Sequence, residues 1–289
     1  MFRITIHVLL FMDTSRQLPD YEIFALRYAT RDAFRRDHFI GGDPHDGAMP
    51  MDYFVWFVRC AERVVVVDTG FTAEMAQLRK RTHLGDPIDL LERCGVGVDQ
   101  VEDVVITHLH YDHAGNLSRF PAARFHVQEE EMSFATGRYM CHHMLRHAYE
   151  AEDVVDMVRL LYKDRVHFHS GDATVAPGLT LHRVGGHTAG LQCLRVHTAR
   201  GWVVLASDAS HYYENMVCGR PFTSAFHIGE MLEAFDTLKR LASSDDHIIP
   251  GHDPQVMMRY PSAGGAMQGI AVRLDLAPIL PLALSASTF

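Results

Sequence analysis

Stretches dominated by β-branched and aromatic residues alternate along this chain with stretches of helical composition. Two strands, 53–59 and 63–68, are separated by a short polar turn and predict a hairpin. Further strands are predicted at 104–106, 124–128, 166–169, 179–184, 192–198, 202–206 and 247–249. Helices are predicted at 72–81, 86–93, 129–135 and 228–241. This alternation, in two similar halves, predicts a β-sandwich with helices on the outside.

The length of 289 residues predicts a single domain, and the remaining segments are expected to be parts of it. Residues 37–50 are rich in Gly, Pro and Asp and predict a loop that could act as a lid. Residues 137–163 predict a helical insertion, and the apolar start at 1–11 predicts an opening strand rather than a signal peptide. The tail at 262–289 gives no clear structure, because prolines interrupt its apolar end.

Composition and charge exclude several classes of partner. The formal net charge of -9 argues against a nucleic-acid partner, which would require an excess of Lys and Arg. No apolar stretch reaches the length of about 18 residues that a membrane-spanning helix needs. Five scattered cysteines without a CxxC pair indicate a reducing, cytoplasmic environment. A small-molecule substrate remains, with a homodimer left open.

Three histidines and one aspartate fall within six residues, directly after a predicted buried strand. His108 and His110 are two positions apart, so they point to the same side if the backbone stays extended. Asp112 and His113 follow where the chain should turn, and they can face a second point nearby. Imidazole nitrogen and carboxylate oxygen are the ligands that zinc and related ions prefer. A metal site is therefore favoured over a polar loop of solvated histidines.

Three more candidate ligands follow predicted strands, each beside a glycine or another small residue. They are His187, Asp208 and His252. Loops at strand ends gather to form sites, although a single Asp in such a position is usually only a cap. Together with the first cluster, these residues would complete two coordination spheres.

The ordered set HxHxDH, then His187, Asp208 and His252, resembles the ligands of the metallo-β-lactamase superfamily. The Asp68-Thr69-Gly70 turn after the hairpin resembles the same superfamily, and the resemblance extends from about residue 53 to residue 252. It implies an α+β fold of the αββα type, in which two β-sheets pack face to face with helices outside.

The resemblance also implies a dinuclear site for two divalent metal ions, most simply Zn²⁺. His108, His110 and His187 would hold one ion. Asp112, His113 and His252 would hold the other. Asp208 would bridge the two ions, and Asp68 would orient a ligand histidine without binding metal.

Within the superfamily, HLHYDHAGN, the stretch at 186–192 and Ser207-Asp208-Ala209-Ser210 are most similar to the N-acyl homoserine lactonases. That family has a tyrosine three residues after the bridging aspartate, where this chain has His211 followed by Tyr212. In an extended segment these two side chains point to opposite sides, so only one of them can face the metals. The departure affects substrate identity more than reaction type.

The implied reaction is the opening of a lactone ring, an ester, by a metal-bridging hydroxide. Asp112 and Asp208 would take part as ligands, Asp208 could also carry a proton, and His211 or Tyr212 could donate to the oxyanion. N-acyl homoserine lactones are the leading substrate class. Alternatives are another ester, a thioester or a cyclic amide on the same scaffold, and a non-catalytic metal-binding protein.

Several other side chains have two interpretations. An apolar group in and beside the insertion could line an acyl pocket or simply pack in the core; its members are Met132, Phe134, Tyr139, Met140, Met144 and Met157. His142, His143 and His147 have suggestive spacing, but a solvated helix face is favoured for them. Cys193 lies in a predicted strand and is expected in the core.

Overall fold

The computed structural model describes residues 18–44 and 47–283, and the structural statements below refer to these ranges. The opening strand predicted at 1–11 lies outside them. The strands are β1 (Glu22–Arg31), β2 (Met51–Arg59), β3 (Val64–Val67), β4 (Thr82–His83), β5 (Asp103–Val105), β6 (Arg124–Gln128), β7 (Val166–His169), β8 (Ala173–Ala176), β9 (Leu179–Arg183), β10 (Gln192–Thr198), β11 (Gly201–Ser207), β12 (Ile248–Pro250) and β13 (Ala271–Arg273). The α-helices are α1 (Ala73–Leu78), α2 (Pro87–Arg93), α3 (Tyr111–Ala114), α4 (Glu129–Ala135), α5 (His143–Arg146), α6 (Ala151–Leu161), α7 (Tyr213–Val217), α8 (Ile228–Leu241) and α9 (Gln255–Arg259).

The strands form two mixed sheets. The first has the order β13-β1-β2-β3-β5-β6-β7, with β4 paired to β1, and its strands β3, β5, β6 and β7 run parallel. The second has the order β12-β11-β10-β9-β8, with only the β11–β12 pair parallel. Because β9, β11 and β12 point the same way, their carboxyl ends reach one edge of the second sheet.

Strand β2 shows how the two sides of the first sheet are filled. Its residues from Met51 to Val58 are all buried, which is typical of a strand covered on both faces. Trp56 belongs to the apolar cluster between the sheets, together with Leu194 of β10. Phe57 belongs to the cluster on the outer face, together with Leu91 of α2. The sandwich with outer helices is therefore the observed fold.

Most predicted elements are confirmed, some to the residue. Strands β6, β7 and β10 and helices α4 and α8 have the predicted bounds. At the start of α2, the Asp86 carboxylate accepts hydrogen bonds from the amides of Ile88 and Asp89 at 2.9 and 3.3 Å, with Pro87 in the first turn. Strands β1, β4, β8 and β13 were not predicted.

The three segments set apart in the sequence have defined surroundings. Residues 137–163 contain α5, α6 and a 3₁₀ turn at Arg138–Cys141. The tail contributes β13, which pairs with β1. In the described part of 37–50, the His38 carbonyl accepts a hydrogen bond from Asn215 Nδ2 at 3.1 Å, and the Ile40 amide donates to the Pro221 carbonyl. No helix of the described chain is both long and apolar enough to cross a bilayer.

Candidate metal centre

Four loops at one edge of the sandwich bring the seven candidate ligands together. Residues 108–113 follow β5, and His187 follows β9. Asp208 and His252 follow β11 and β12, which run side by side. Every one of the seven side chains belongs to a residue that is at most 8% exposed. The cluster is thus a buried polar group at the carboxyl ends of the strands, inside an otherwise apolar structure.

One group of ligand atoms consists of three imidazole nitrogens. His110 Nδ1 lies 3.0 Å from His108 Nε2 and 3.0 Å from His187 Nε2. The atoms that these three residues offer lie within 4.8 Å of one another. His110 has an extended backbone, φ -69° and ψ 154°, as the interpretation of the HxH spacing assumed.

A second group combines a carboxylate with two imidazoles. Asp112 Oδ2 lies 3.8 Å from His113 Nε2 and 3.8 Å from His252 Nε2. Asp112 and His113 reach this position because the one-turn helix α3 begins directly after His110 and turns the chain. The two groups therefore use different parts of the same HxHxDH segment.

Asp208 lies between the two groups and turns one oxygen toward each. Its Oδ2 is 3.2 Å from His187 Nε2 and 3.7 Å from His108 Nε2. Its Oδ1 is 3.0 Å from His252 Nε2 and 3.5 Å from His113 Nε2. A carboxylate that is divided in this way has the geometry of a bridging ligand. Gly251 allows this close approach, since a Cβ there would lie 2.7 Å from Asp208 Oδ1.

The donor set fits two divalent cations. Tetrahedral zinc, with Zn–N bonds of about 2.0–2.1 Å, holds its nitrogen ligands roughly 3.3 Å apart, close to the 3.0 Å spacing in the first group. Two buried atoms of the cluster, His113 Nε2 and Asp208 Oδ1, have no hydrogen-bond partner among the described residues. Buried polar atoms normally have a partner, so these two atoms are free to bind cations.

Hydrogen bonds on the far side of the rings fix the orientation of the histidines. Asp68 Oδ2 is 2.7 Å from His113 Nδ1, as the resemblance implied for Asp68. The Ser224 carbonyl lies 2.5 Å from His187 Nδ1, and the Asp52 carbonyl lies 2.8 Å from His252 Nδ1. Each of these contacts leaves Nε2 facing the cluster, and such contacts raise the basicity of a ligand imidazole.

The backbone is strained where it delivers two of these groups. Asp68 and Ser207 have φ values of 61° and 47°, in the left-handed region that non-glycine residues rarely adopt. Asp68 is held there by its carboxylate, which accepts hydrogen bonds from the Thr107 amide and hydroxyl, both at 2.8 Å. Ser207 Oγ lies 2.8 Å from the same hydroxyl. This network connects β3, β5 and β11 beneath the cluster.

Glu131, at the start of α4, is a supporting residue that the sequence interpretation missed. It is fully buried, and its Oε1 accepts hydrogen bonds from the Leu109 amide at 3.0 Å and the Tyr149 hydroxyl at 2.9 Å. Its Oε2 accepts from Thr188 Oγ1 at 2.6 Å and from the Gly190 amide at 3.1 Å. Glu131 therefore joins the loop of His108 and His110 to the loop of His187, which no local pattern could reveal.

The electrostatics of the cluster favour cation binding. Burial lowers the pKa of His108 and of His110 well below the ordinary value, so these imidazoles are neutral donors. Burial opposes the charged form of His113 as well, but the surrounding carboxylates, Asp208 first, outweigh it and raise its pKa to about 10. Burial would also raise the pKa of Asp208, yet the nearby histidines hold it well below its usual range. Metal binding at His113 would therefore release a proton.

His211 and Tyr212 point in opposite directions, as predicted. His211 Nε2 lies 3.0 Å from Asp208 Oδ2, and its ring stacks on Phe222 with centroids 3.4 Å apart. The Tyr212 hydroxyl instead donates to the Pro50 carbonyl at 3.1 Å and lies 3.0 Å from His38 Nε2. This position corrects the suggestion that Tyr212 could contact the substrate, because its hydroxyl is hydrogen-bonded inside the core and points away from the cluster.

A cavity of about 110 Å³ borders the cluster. Its walls include five of the candidate ligands together with His211, and four further side chains, namely Arg31, Tyr53, Arg81 and Tyr111. None of these four was singled out in the sequence, because they come from β1, β2, the segment after α1 and α3 and only meet in the fold. Met51 lines this cavity, but no described residue of the predicted lid at 37–50 does.

A second, mainly apolar cavity of about 60 Å³ adjoins the first one and shares His110 and His187 with it. Phe134 and Met144, from the predicted acyl pocket, line it with Leu145 and Phe226. Met157 is instead fully buried in the core. His147 lines both cavities although it is exposed, whereas a purely solvated face was expected. His142 and His143 are exposed and Cys193 is buried, as expected.

Comparison with known proteins places this geometry in a family. The model of the metallo-β-lactamase superfamily matches residues 49–252. An N-acyl homoserine lactonase of Bacillus thuringiensis is 32% identical over 188 residues, which cover 64% of this chain and 68% of the relative.

Two solved structures share the fold. An N-acyl homoserine lactone hydrolase with the product N-hexanoyl-L-homoserine at its catalytic metal center superposes with a TM-score of 0.69 at 22% identity, covering 84% of this chain and 96% of that one. A dizinc quorum-quenching lactonase superposes with a TM-score of 0.62 at 15% identity, covering 82% and 89%. The family match spans the hairpin, the HxHxDH segment and the loops of His187, Asp208 and His252, and the chain belongs to the metallo-β-lactamase superfamily.

Proposed function

We propose that this protein is a dinuclear metal-dependent hydrolase that opens the ring of a lactone, with N-acyl homoserine lactones as the leading substrate class. The observation that carries the proposal is Asp208, whose two oxygens face two separate groups of ligand atoms. The similarity to N-acyl homoserine lactonases supports this substrate class. A single-metal protein would not need a buried carboxylate divided between two histidine groups.

His108, His110 and His187 would hold one ion, Asp112, His113 and His252 the other, and Asp208 would bridge them. When bound, the two ions supply Lewis acidity for the ester carbonyl and lower the pKa of water toward neutrality. We propose zinc, because the set combines five imidazoles with two carboxylates. The similarity to a dizinc lactonase supports this choice.

The side chains of this protein then have distinct tasks in ring opening. Water adds to the carbonyl carbon, the ring C–O bond breaks, and one proton of the water ends on the leaving alkoxide. Asp208 is ionised, so it can accept a hydrogen bond from the attacking water and orient it toward the carbonyl carbon. His211 Nε2 donates a hydrogen bond to Asp208 Oδ2 and keeps that carboxylate in position. The apolar cavity beside His110 and His187 can take an acyl chain.

The proposal is tested by proton release from a panel of lactones, thioesters and cyclic amides with one metal-replete sample. We expect turnover of acyl homoserine lactones and a loss of kcat of about 100-fold or more in Asp208→Asn, since such sites contribute several kcal/mol. His143→Ala is the matched control, because His143 is exposed and lies outside the cluster.

Other outcomes of the same panel separate the alternatives. Turnover restricted to thioesters or cyclic amides would keep the metal centre and replace the substrate class. Tightly bound metal without turnover of any compound would favour a non-catalytic metal-binding protein. We further propose that the protein acts in the cytoplasm on a small molecule, and size-exclusion chromatography with light scattering decides between monomer and homodimer.

A further inference from the structure

Two arginines line the catalytic cavity without an acidic partner. Arg31, at the end of β1, and Arg81, between α1 and β4, form no ion pair among the described residues. Arg79, only two residues from Arg81, is paired with Glu150. Acidic side chains are therefore within reach of this region of the chain, and Arg81 lacks an acidic partner because it faces the cavity.

The hydrogen bonds around both guanidinium groups are incomplete. Arg31 Nε is buried and has no hydrogen-bond partner in the described part of the chain. Arg81 Nε donates to the Tyr111 hydroxyl at 3.1 Å, and that hydroxyl lies 3.5 Å from the hydroxyl of Tyr53. This contact holds Arg81 at the cavity wall, while its two terminal nitrogens have no hydrogen-bond partner among the described residues. A guanidinium offers five N–H donors in a planar fork that matches a carboxylate.

The charge balance of the cavity is positive once its ions are bound. Asp112 and Asp208 are the acidic side chains in its wall, and both are candidate ligands. Two divalent ions add four positive charges against these two negative ones, and Arg31 and Arg81 add two more. Such a cavity attracts anions, and no acidic side chain of its wall is left to neutralise the arginines.

We propose that Arg31 and Arg81 form a carboxylate-binding subsite, so that the preferred substrates of this enzyme carry a carboxylate in addition to the ester that is opened. The inference rests on the proposed hydrolase function and makes its substrate class more specific. A neutral acyl chain would occupy the adjoining apolar cavity of Phe134, Met144 and Phe226 and would leave both guanidinium groups unpaired. Charge-assisted pairs of this kind discriminate strongly, since the loss of one leaves a desolvated group without a partner.

Binding of glutarate to the metal-loaded protein tests the subsite without turnover. Isothermal titration should show about ten-fold weaker binding in each of Arg31→Gln and Arg81→Gln, and a larger loss in the double variant. Arg159→Gln, on the exposed side of α6, is the matched control and should bind as the wild type does. Dimethyl glutarate, the neutral analogue, should bind all variants equally. Thermal unfolding of each variant checks that the fold is intact.

Glutarate that binds the wild type and the double variant equally would overturn the proposal, because the anion would then contact the ions alone. Inorganic phosphate is the second probe: an arginine dependence seen for phosphate and not for glutarate would also overturn the carboxylate assignment.

Turnover provides the second arm, with N-glutaryl homoserine lactone and its methyl ester as a matched pair. The ratio of kcat/KM for the acid over the ester should exceed one in the wild type and fall by about ten-fold or more in Arg31→Gln and Arg81→Gln. An unchanged ratio in those variants would contradict the subsite. If no lactone is turned over while glutarate binding still depends on the arginines, the lactonase proposal fails and the subsite stands.

Discussion

His211 and Tyr212 are adjacent in the chain, but their side chains lie in different environments. Tyr212 has an extended backbone, φ -126° and ψ 154°, so the alternation of side chains predicted their opposite directions correctly. Which of the two faces the metal centre could not be predicted, because that depends on how the loop after β11 meets Pro50 and His38. The structure assigns the metal side to His211.

Removal of the Tyr212 hydroxyl should affect stability and leave the chemistry unchanged. Tyr212→Phe leaves the Pro50 carbonyl without its donor, which should cost about 1–2 kcal/mol of unfolding free energy. Urea unfolding measures the loss, and kcat on the best lactone should stay near the wild-type value. A fall in kcat of ten-fold or more at unchanged stability would contradict this prediction and show that the Tyr212 hydroxyl takes part in catalysis.

His211 should matter for kcat because it contacts the Asp208 carboxylate, which we propose to bridge the two ions. His211→Ala removes the group 3.0 Å from Asp208 Oδ2 and should lower kcat by about ten-fold, the value of one hydrogen bond to a charged group. His211→Gln can restore an N–H donor and should recover part of this loss. Steady-state kinetics of the two variants check the prediction, and equal, near-native kcat values in both would show that His211 is dispensable.

At the level of the elements, the sequence was informative where local composition decides the structure. Helix α8 has a clear apolar face, and the second half of β10 alternates buried Leu194, Val196 and Thr198 with half-buried Arg195 and His197. Strand β13 was missed for a physical reason, because it pairs with β1 between residues about 250 positions apart in the chain, and no local signal marks that contact. Strand β1 pairs mainly with β2, and its aromatic and β-branched residues do carry a local strand signal that the sequence interpretation overlooked.

The pairing of β5 with β6 contains an ion pair that should make stability depend on pH. Asp103 Oδ1 lies 2.9 Å from His126 Nε2 and 2.9 Å from Arg124 Nη2. The hydrogen bond to His126 outweighs burial and lowers the pKa of Asp103 to about 2. A lowered carboxyl pKa stabilises the fold above the unfolded-state pKa of about 3.9, and this contribution is lost as the pH falls toward 2.

Asp103→Asn should therefore cost on the order of 1–2 kcal/mol at pH 6, and the difference from the wild type should shrink as the pH approaches 2. Urea unfolding of metal-free protein measures the cost at pH 6 and its decrease toward pH 2. Metal-free protein is used so that metal release at low pH does not contribute. Asp99→Asn, at an exposed aspartate, is the control and should change little. A difference that stays constant from pH 6 to pH 2 would refute the ion-pair explanation.

The segment at 37–50 remains a lid only as a prediction. In its described part, His38 is buried and lies 3.0 Å from the Tyr212 hydroxyl, and Asp43 accepts a hydrogen bond from Arg220 at 3.0 Å. These contacts attach the segment to α7 and the loop after it. Any lid motion would have to break them, which the composition of the segment could not indicate.

For the whole molecule, the sandwich explains why ligands from distant parts of the chain meet. Four strand ends reach one edge, and each delivers its ligands from a loop supported by buried hydrogen bonds. The order of the seven candidate ligands could be predicted from the sequence, because they form a recognisable pattern. Glu131, Arg31 and Arg81 could not, since each acts through a contact that exists only after the two sheets and α4 are assembled.

The number of metal ions per chain tests the central claim most directly. Elemental analysis of metal-replete protein should give two equivalents, because the ligand atoms form two groups joined by Asp208. Asp112→Ala and His252→Ala each remove one ligand of the second group and should lower the value toward one. A firm value of one in the wild-type protein, unchanged in both variants, would contradict the dinuclear centre.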